Sequence, residues 1–532
     1  MFPSVQTPQR RQFQAFATLV CAVGLAIIIA KILQETGGSL FYALDDPYIH
    51  LALAENLLHG HYGINPGEVA SPSSSILYPF LLALFGAGPY APLILNFVGA
   101  LGTAWVLGGF LFDAFDQSNT RPSPITYLSV VTLLGAVNGY ALALTGMEHT
   151  LHVLASLLIL RGLTHLSRET RPDGWMLLGL IAAPLLRFEG FALSLFAIFA
   201  LFAWGHWRSG AAVTLVLSLI VAAYVGLMTH LGLPPLPSSV LVKSSVSAGV
   251  VDHSLADAFA SHLQDILTSL ERPQAKWLIA GLAMLCFAFV PPLNARRLSV
   301  ALVVGAAAVA HVLVGHWGWY GRYEAYIMAT VVGAVLYVWT PVLSSPRARS
   351  AKLVLLLVLT FVSNRNYITP LLTTHLAARN VYEQQYQMHR FATEFFPETT
   401  AVNDLGWVAY RNDNYVLDLW GLGSEIVRQN WAQYGLTTNW VEEIAEDKDA
   451  VFAMVYPAVF TTELPPEWCH MGTIRTNRVM SAYENVGFFL IDRSREADMR
   501  EALNAFKQTL PADTRFTAAE CSAPYDWTLY WD

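Results

Sequence analysis

Residues 41–80 read FYALDDPYIHLALAENLLHGHYGINPGEVASPSSSILYPF and follow directly on the first apolar run of the chain. Two adjacent carboxylates, Asp45 and Asp46, stand where a membrane span has just ended, a costly place for charge that serves no purpose. Asp46 followed by Pro47 has the form of an N-cap and first helical residue. The helix so opened carries Ile49, Leu53 and Leu57 on one face and stops at Gly60. A cap gives Asp46 a structural task, because its carboxylate can accept the orphan amides of the first turn. Asp45 is not needed there and is free to face a ligand, which makes it the preferred reactive group. The segment after Gly60 is too rich in Gly, Pro, Asn and Ser for a helix, and reads as an ordered loop whose polar atoms could line a site.

The rest of the chain says what lies around this loop. Its 532 residues are 54% hydrophobic and 13% charged, with a positive mean hydropathy. That describes an α-helical polytopic membrane protein. Charge is unevenly spread: residues 1–370 hold 19 Lys and Arg against 16 Asp and Glu, and 371–532 hold 12 against 23. The acidic second part reads as a water-exposed domain, and it argues against a nucleic-acid partner, which would need a basic surface.

Apolar runs lie near 16–33, 91–112, 124–143, 149–166, 174–187, 189–206, 211–230, 274–292, 298–316, 323–342 and 351–369. They amount to about 11 transmembrane helices at ~20 residues per crossing. The shorter run 76–85 reads as re-entrant or interfacial. Arg10 and Arg11 before the first run, with no cleavage site after it, indicate an uncleaved first span. Arg161, Arg168, Arg171, Arg208, Arg296, Arg297, Arg347, Arg349 and Lys352 then share the side of Arg10 and Arg11. The positive-inside rule places the N-terminus in the cytoplasm and the 35–75 loop and C-terminal part outside. Expected domains are therefore 1–370, transmembrane, and 371–532, a small external α/β domain. Its expected strands are Thr400–Val402, Val408–Tyr410, Tyr415–Leu419, Val451–Val455 and Phe488–Ile491, with helices at Ser424–Tyr434 and Glu496–Gln508. Cys469 and Cys521 both fall in this domain and can pair in an oxidising compartment, whereas Cys21 and Cys286 lie in apolar runs. No phosphate-binding or dinucleotide glycine loop is present, which weighs against ATP or NAD.

Besides 45–75, the outer face collects TGMEHT (145–150), RFEG (187–190), PPLPSSVLVKSS (234–245) and HWGWYGRYE (316–324). Each has a plain structural reading. Glu148 can cap the following helix; Arg187 and Glu189 can close a turn; Lys243 and Arg322 can anchor span ends; His316, Trp317, Trp319 and Tyr320 fit an interfacial aromatic belt. In combination they suit a substrate that joins a phosphate to a group needing deprotonation. Arg187, Lys243 and Arg322 would hold the phosphate and Asp45 would take a proton. His50, one turn into the helix, and Glu148 would place hydroxyls.

DDPYIHLALAENLLHGHYGINPGE followed by SPSSSILYPFLLALF resembles the first external loop of integral-membrane glycosyltransferases of the GT-C class. It is most similar to the arabinofuranosyltransferase-like branch, with its Asp-Asp-x-Tyr/Phe-Ile, Asn-Pro-Gly-Glu and Ser-Pro elements. TGMEHTL, LRFEGF, LPSSVLVKS, GRYEAYIM and NDLGWVAYRNDNYVLDLWGLGSEIV follow in the same order. Phe188 stands where relatives have proline.

The resemblance implies a polyprenyl-phosphate-linked sugar donor, an external active site in the bacterial inner membrane, and an inverting displacement with polyprenyl phosphate leaving. The general base it implies is Asp45 or Asp46; the candidate substrate-binding residues are Tyr48, His50, Glu148, Arg187, Glu189, Lys243, Trp319 and Arg322. Arabinofuranose is the leading sugar, with mannose, glucose or a modified pentose open. The acceptor is a glycan, a lipid or a protein. No cofactor is required, although Asp45, Asp46 and Glu148 could bind a divalent cation. The competing class is a transporter or flippase of lipid-linked sugars, against which stand the absence of a repeat and the one-sided polar patches.

Overall fold

The computed structural model describes residues 7–115, 122–243, 255–345, 347–435, 438–459 and 464–521. It is mostly helical, and each of the apolar runs expected to cross the membrane coincides with a helix. Among the described residues, six helices are long and apolar enough to span by length and composition. They are Pro8–Glu35, Ala91–Phe115, Trp207–His230, Ala295–Val314, Ala325–Leu343 and the near-continuous run Arg349–Phe395. The others are shorter, such as Pro124–Ala136 and Gly174–Leu186. The 76–85 run forms only Tyr78–Leu84, seven residues, which at ~1.5 Å per residue is too short to cross.

Local chemistry sets the helix ends. Thr7, Ser123 and Asp173 each accept a backbone N–H of the first turn with their side chains, satisfying donors that an apolar surrounding would leave orphaned. Glycine lets neighbouring helices approach closely, as small residues do where lipid supplies no hydrophobic drive. A Cβ on Gly179 would meet the Ala155 carbonyl at 2.7 Å, so His149–His165 and Gly174–Leu186 pack nearly backbone to backbone.

Beyond the last long run comes a six-stranded mixed sheet in the order β2-β1-β3-β5-β4-β6. The strands are β1 Thr400–Val402, β2 Val416–Asp418, β3 Phe452–Val455, β4 Cys469–Arg475, β5 Asn485–Leu490 and β6 Arg515–Ala518. β1 pairs in parallel with β2 and β3, while β3–β5, β4–β5 and β4–β6 are antiparallel. Side chains alternate between faces. Ala401, Leu417, Ala453, Val455 and Phe489 pack on one side with Val427 and Val441 from two helices. Phe452 and Phe488 pack on the other with Phe391 and Phe506. The α/β expectation holds, with corrections. Val408–Tyr410 is not a strand, because Gly406–Ala409 is a helical turn that carries Val408 into the core and Trp407 toward the first loop. β4 and β6 were missed: the β4 register shifts between His470 and Gly472, which breaks the alternation a strand is recognised by. Cys469 and Cys521 form a disulfide.

The C-terminal part sits on the 45–75 loop. The Asn65 side-chain amide donates to the Val416 carbonyl and accepts its N–H, both at 2.9 Å, occupying the edge of β2 as a neighbouring strand would. Glu68 accepts from Ser424 at 2.8 Å and from the Tyr415 hydroxyl. The Asn-Pro-Gly-Glu turn is therefore a docking element, and only the serine-rich stretch after it reaches the site.

Candidate active site

The helix begins one residue earlier than its sequence suggests. It spans Asp46–Leu58, with Asp45 at the N-cap position, and the Asp45 side chain makes no capping hydrogen bond. Asp45 has helical backbone angles, φ −81° and ψ −29°, rather than the extended ones that swing a cap side chain over the first turn. The Asp45 carboxylate is thereby released to the surroundings, and the two aspartates take different partners.

Asp45 faces the C-terminal domain. Its Oδ1 accepts the Trp407 N–H at 2.9 Å, and its Oδ2 is wholly buried. Gly406 lies so close that any Cβ there would collide with this carboxyl. Burial and the neighbouring Asp404 carboxyl push Asp45 well above the ordinary carboxylate range, against the pull of the Trp407 and Gly406 amides. Burial likewise raises Asp404, although Tyr456 and Gln385 donate to it at 2.6 and 2.8 Å. Asp45 thus joins the first loop to the C-terminal domain through Oδ1, and it also lines the larger of the two cavities described below.

Asp46 turns the other way, onto Arg322. Arg322 Nη1 donates to Asp46 Oδ2 at 2.9 Å, with the arginine side chain 2% and the aspartate 27% accessible. Arg322 is therefore not a snorkelling anchor. Its Nη2 donates to the Tyr323 hydroxyl at 3.1 Å, and its Nε has no partner among the described residues. Asp46, Ile49 and His50, three and four residues apart and hence on one helix face, line a cavity of about 270 Å³ with Arg187, Glu189, Ser74 and Tyr323. A larger cavity of about 960 Å³ lies against the C-terminal domain, lined by Asp45, Trp317, Trp319, Gln385, Asp404 and Tyr456 among others. Asp46, Ile49, His316, Arg322, Tyr323 and Leu422 belong to both. Asp46 and Arg322 stand at the junction.

The small cavity is dense in paired charge. Arg187 donates to Glu148 at 3.0 Å and to both oxygens of Glu189 at 2.8 and 3.2 Å. Arg187 and Arg322 lie 5.4 and 5.0 Å from the centre of the same Tyr323 ring, an arrangement that holds two cations a fixed distance apart. Glu148 does not cap its helix; it also accepts from Ser74 at 2.9 Å and faces His50 Nε2 at 3.9 Å. Burial lowers His50, and its Nδ1 is 3.1 Å from Ser73 Oγ. The Ser-Pro-Ser-Ser-Ser stretch ties this wall together. Ser71 accepts the Ser238 N–H through its carbonyl at 2.9 Å, and Ser75 Oγ donates to the Leu185 carbonyl at 3.2 Å.

Of the residues singled out in the sequence, Asp46, His50, Glu148, Arg187, Glu189 and Arg322 come together, and Asp45 and Trp319 join the larger cavity. Tyr48 does not. It is buried, with its ring 4.1 Å from that of Trp407, because two residues along a helix from Asp46 is nearly the opposite face. Lys243 ends the short helix Ser238–Lys243, and its side chain lies outside the described residues. Sequence reasoning missed Asp404, Trp407, Tyr323, Gln385 and Tyr456. Asp404 and Trp407 belong to the Asn-Asp-Leu-Gly-Trp segment that carries part of the resemblance, which was the available signal. Among the described residues no three His, Cys, Asp or Glu side chains are grouped to hold a metal ion.

A family described as a domain of unknown function (DUF8728) matches residues 378–519. No curated protein matches the chain. Among solved structures it is similar to the oligosaccharyltransferase of Archaeoglobus fulgidus, at 11% identity and a TM-score of 0.49 over 95% of this chain and 76% of that one. It is similar to ArnT from Cupriavidus metallidurans bound to undecaprenyl phosphate, at 12% identity and a TM-score of 0.45 over 89% and 98%. It is also similar to the arabinofuranosyltransferase AftD from Mycobacteria, at 14% identity and a TM-score of 0.41 over 88% and 41%.

Proposed function

We propose that this membrane-embedded protein is an inverting glycosyltransferase that moves a sugar from a polyprenyl-phosphate donor to an acceptor hydroxyl on the outer face of a bacterial inner membrane. The observation that carries the reading is the Asp46–Arg322 pair at the meeting point of two unlike cavities, since group transfer needs a base and a charge-stabilising cation between two substrates. Arg187 is saturated by two glutamates, so its part is to set Glu148 and Glu189 for sugar hydroxyls. Arg322 keeps donors for a phosphate, and Lys243 would add a second cation. Asp46, the carboxylate open to both cavities, is the base in preference to Asp45.

The acceptor hydroxyl enters through the large cavity and attacks the anomeric carbon. Its proton passes to Asp46 while the bond from that carbon to the phosphate oxygen breaks. Polyprenyl phosphate leaves against Arg322, whose charge favours the developing anion. Arabinofuranose is the proposed sugar, on the resemblance of the 41–80 stretch. No cofactor enters the scheme.

The test uses purified protein in detergent with synthetic polyprenyl-phosphoryl arabinofuranose and mannose, following polyprenyl phosphate release and sugar transfer together. Release matched by glycosylated product supports a transferase. Tight donor binding without release, together with movement of intact donor across a vesicle bilayer, would replace it with transport.

A further inference from the structure

The loop 318–321 holds four consecutive residues in left-handed backbone, two of them bulky: Gly318 at φ 82°, Trp319 at 45°, Tyr320 at 71° and Gly321 at 66°. Large side chains avoid this region, and such strain persists only where the surroundings over-determine it. Here they do. Glu324 accepts the Gly318 N–H at 2.9 Å, Asn138 donates to the Tyr320 and Gly321 carbonyls at 3.0 and 3.3 Å, and the Tyr320 hydroxyl donates to the Pro370 carbonyl at 3.0 Å. What all this bracing delivers is Trp319, which is 50% exposed on the wall of the large cavity. Among the described residues its ring stacks on no other.

The same cavity presents polar atoms that have no partner among the described residues. Gln385, only 2% exposed, leaves its Oε1 acceptor unused, Trp317 its Nε1 donor and Ser481 its hydroxyl. All three residues line the cavity. Buried polar groups are normally satisfied, and these three residues stand on the wall that a ligand in the cavity would meet. An exposed indole face set among separate single donors and acceptors matches one chemistry. A sugar ring offers a face of C–H groups to pack on the indole and hydroxyls at its edge that both give and accept hydrogen bonds. A peptide held by strand addition would need a free sheet edge at the cavity; Asn65 already occupies that of β2, and the other edge strand, β6, does not line the cavity. A membrane-belt tryptophan would not need a strained loop to turn it toward a polar cavity.

We propose that the large cavity is a saccharide site in which Trp319 is the stacking platform and Gln385, Trp317 and Ser481 take hydroxyls. Calling the bound saccharide the acceptor rests on the transferase reading; the binding itself does not. The experiment is calorimetric titration of the full chain in detergent, without donor, using linear oligosaccharides of arabinofuranose, mannose and glucose. At least one series binds, Trp319→Ala weakens it about tenfold or more, and Trp319→Phe restores it to within about threefold. Binding by none of the three, or unchanged affinity in Trp319→Ala, overturns the proposal. Trp319-dependent binding without transfer from any donor upholds the saccharide site while removing the transferase reading. Transfer to a peptide or a lipid at the wild-type rate by Trp319→Ala does the reverse.

Discussion

The two cavities that meet at Asp46 are made of different materials. The small one, walled by membrane helices and the serine stretch, sets Arg187 and Arg322 against Asp46, Glu148 and Glu189, with nearly every charge in contact with another. The large one, roofed by the C-terminal domain, has tryptophans, amides and a carboxyl pair with raised proton affinity. Asp45 and Asp46 are chemically identical neighbours in sequence, yet one fastens the roof and the other faces the charge. A side chain's role is set by which element it points at, and a one-residue shift in where a helix starts decides that.

Substitutions can break this contrast, the most severe at the junction. Asp46→Asn keeps shape and hydrogen-bonding reach but removes the base. It is expected to lower kcat for transfer by about 10²- to 10⁴-fold, with the donor Kd nearly unchanged, as read by polyprenyl phosphate release and donor titration. Next comes the small cavity's buried pairing. Glu148→Ala leaves the buried Arg187 with Glu189 as its remaining partner, and the loss of one buried hydrogen-bonded partner costs on the order of 1–3 kcal/mol. Thermal unfolding in detergent should show it as a clear drop in midpoint.

The large cavity predicts milder outcomes. Asp45→Asn weakens the fastening to the Trp407 amide, with a cost on the order of 1–3 kcal/mol that appears as earlier proteolysis at the 395–410 junction, while kcat falls less than about tenfold. The smallest effect is on pH. Asp45 and Asp404 both have raised proton affinity in the folded protein, so their protonated forms favour docking. That stabilisation is fully present below the ordinary carboxylate range and is lost as pH rises through their raised native values. The midpoint for release of the C-terminal domain should therefore decline over that window, and Asp404→Asn should flatten the decline. The charged or titratable neighbours of the pair, Asp46, Arg322, Tyr48 and Tyr456, should be left in place for that comparison.

Much of this was legible before any coordinates. The apolar runs fixed the helices because a spanning helix needs a long uniform stretch. The polar patches at 45–75, 145–150, 187–190, 234–245 and 316–324 pointed to a shared site because charge beside a membrane is expensive, and all five contribute residues to the small cavity. Short apolar runs found β1, β2, β3 and β5, whose side chains are buried on both faces or nearly so. Other features were hidden for physical reasons. The cap at Asp46 failed because Pro47 fits the first or second helical position equally well, and sequence does not state φ and ψ at the preceding residue. Tyr48 was misplaced because nearness in sequence to Asp46 is not nearness on a helix. Asp404 and Trp407 sit more than 350 residues from Asp45 in the chain, and only folding brings the Asn-Asp-Leu-Gly-Trp segment under the first loop.

In the proposed reaction Asp46, at the junction, accepts the proton, and Asp45 holds the roof. The most direct test of these roles measures polyprenyl phosphate release from a synthetic polyprenyl-phosphoryl sugar by wild type, Asp45→Asn and Asp46→Asn, each first shown to be folded and to bind donor. Release is expected to collapse in Asp46→Asn and to persist within about tenfold of wild type in Asp45→Asn. Collapse in Asp45→Asn with Asp46→Asn still active would contradict these roles.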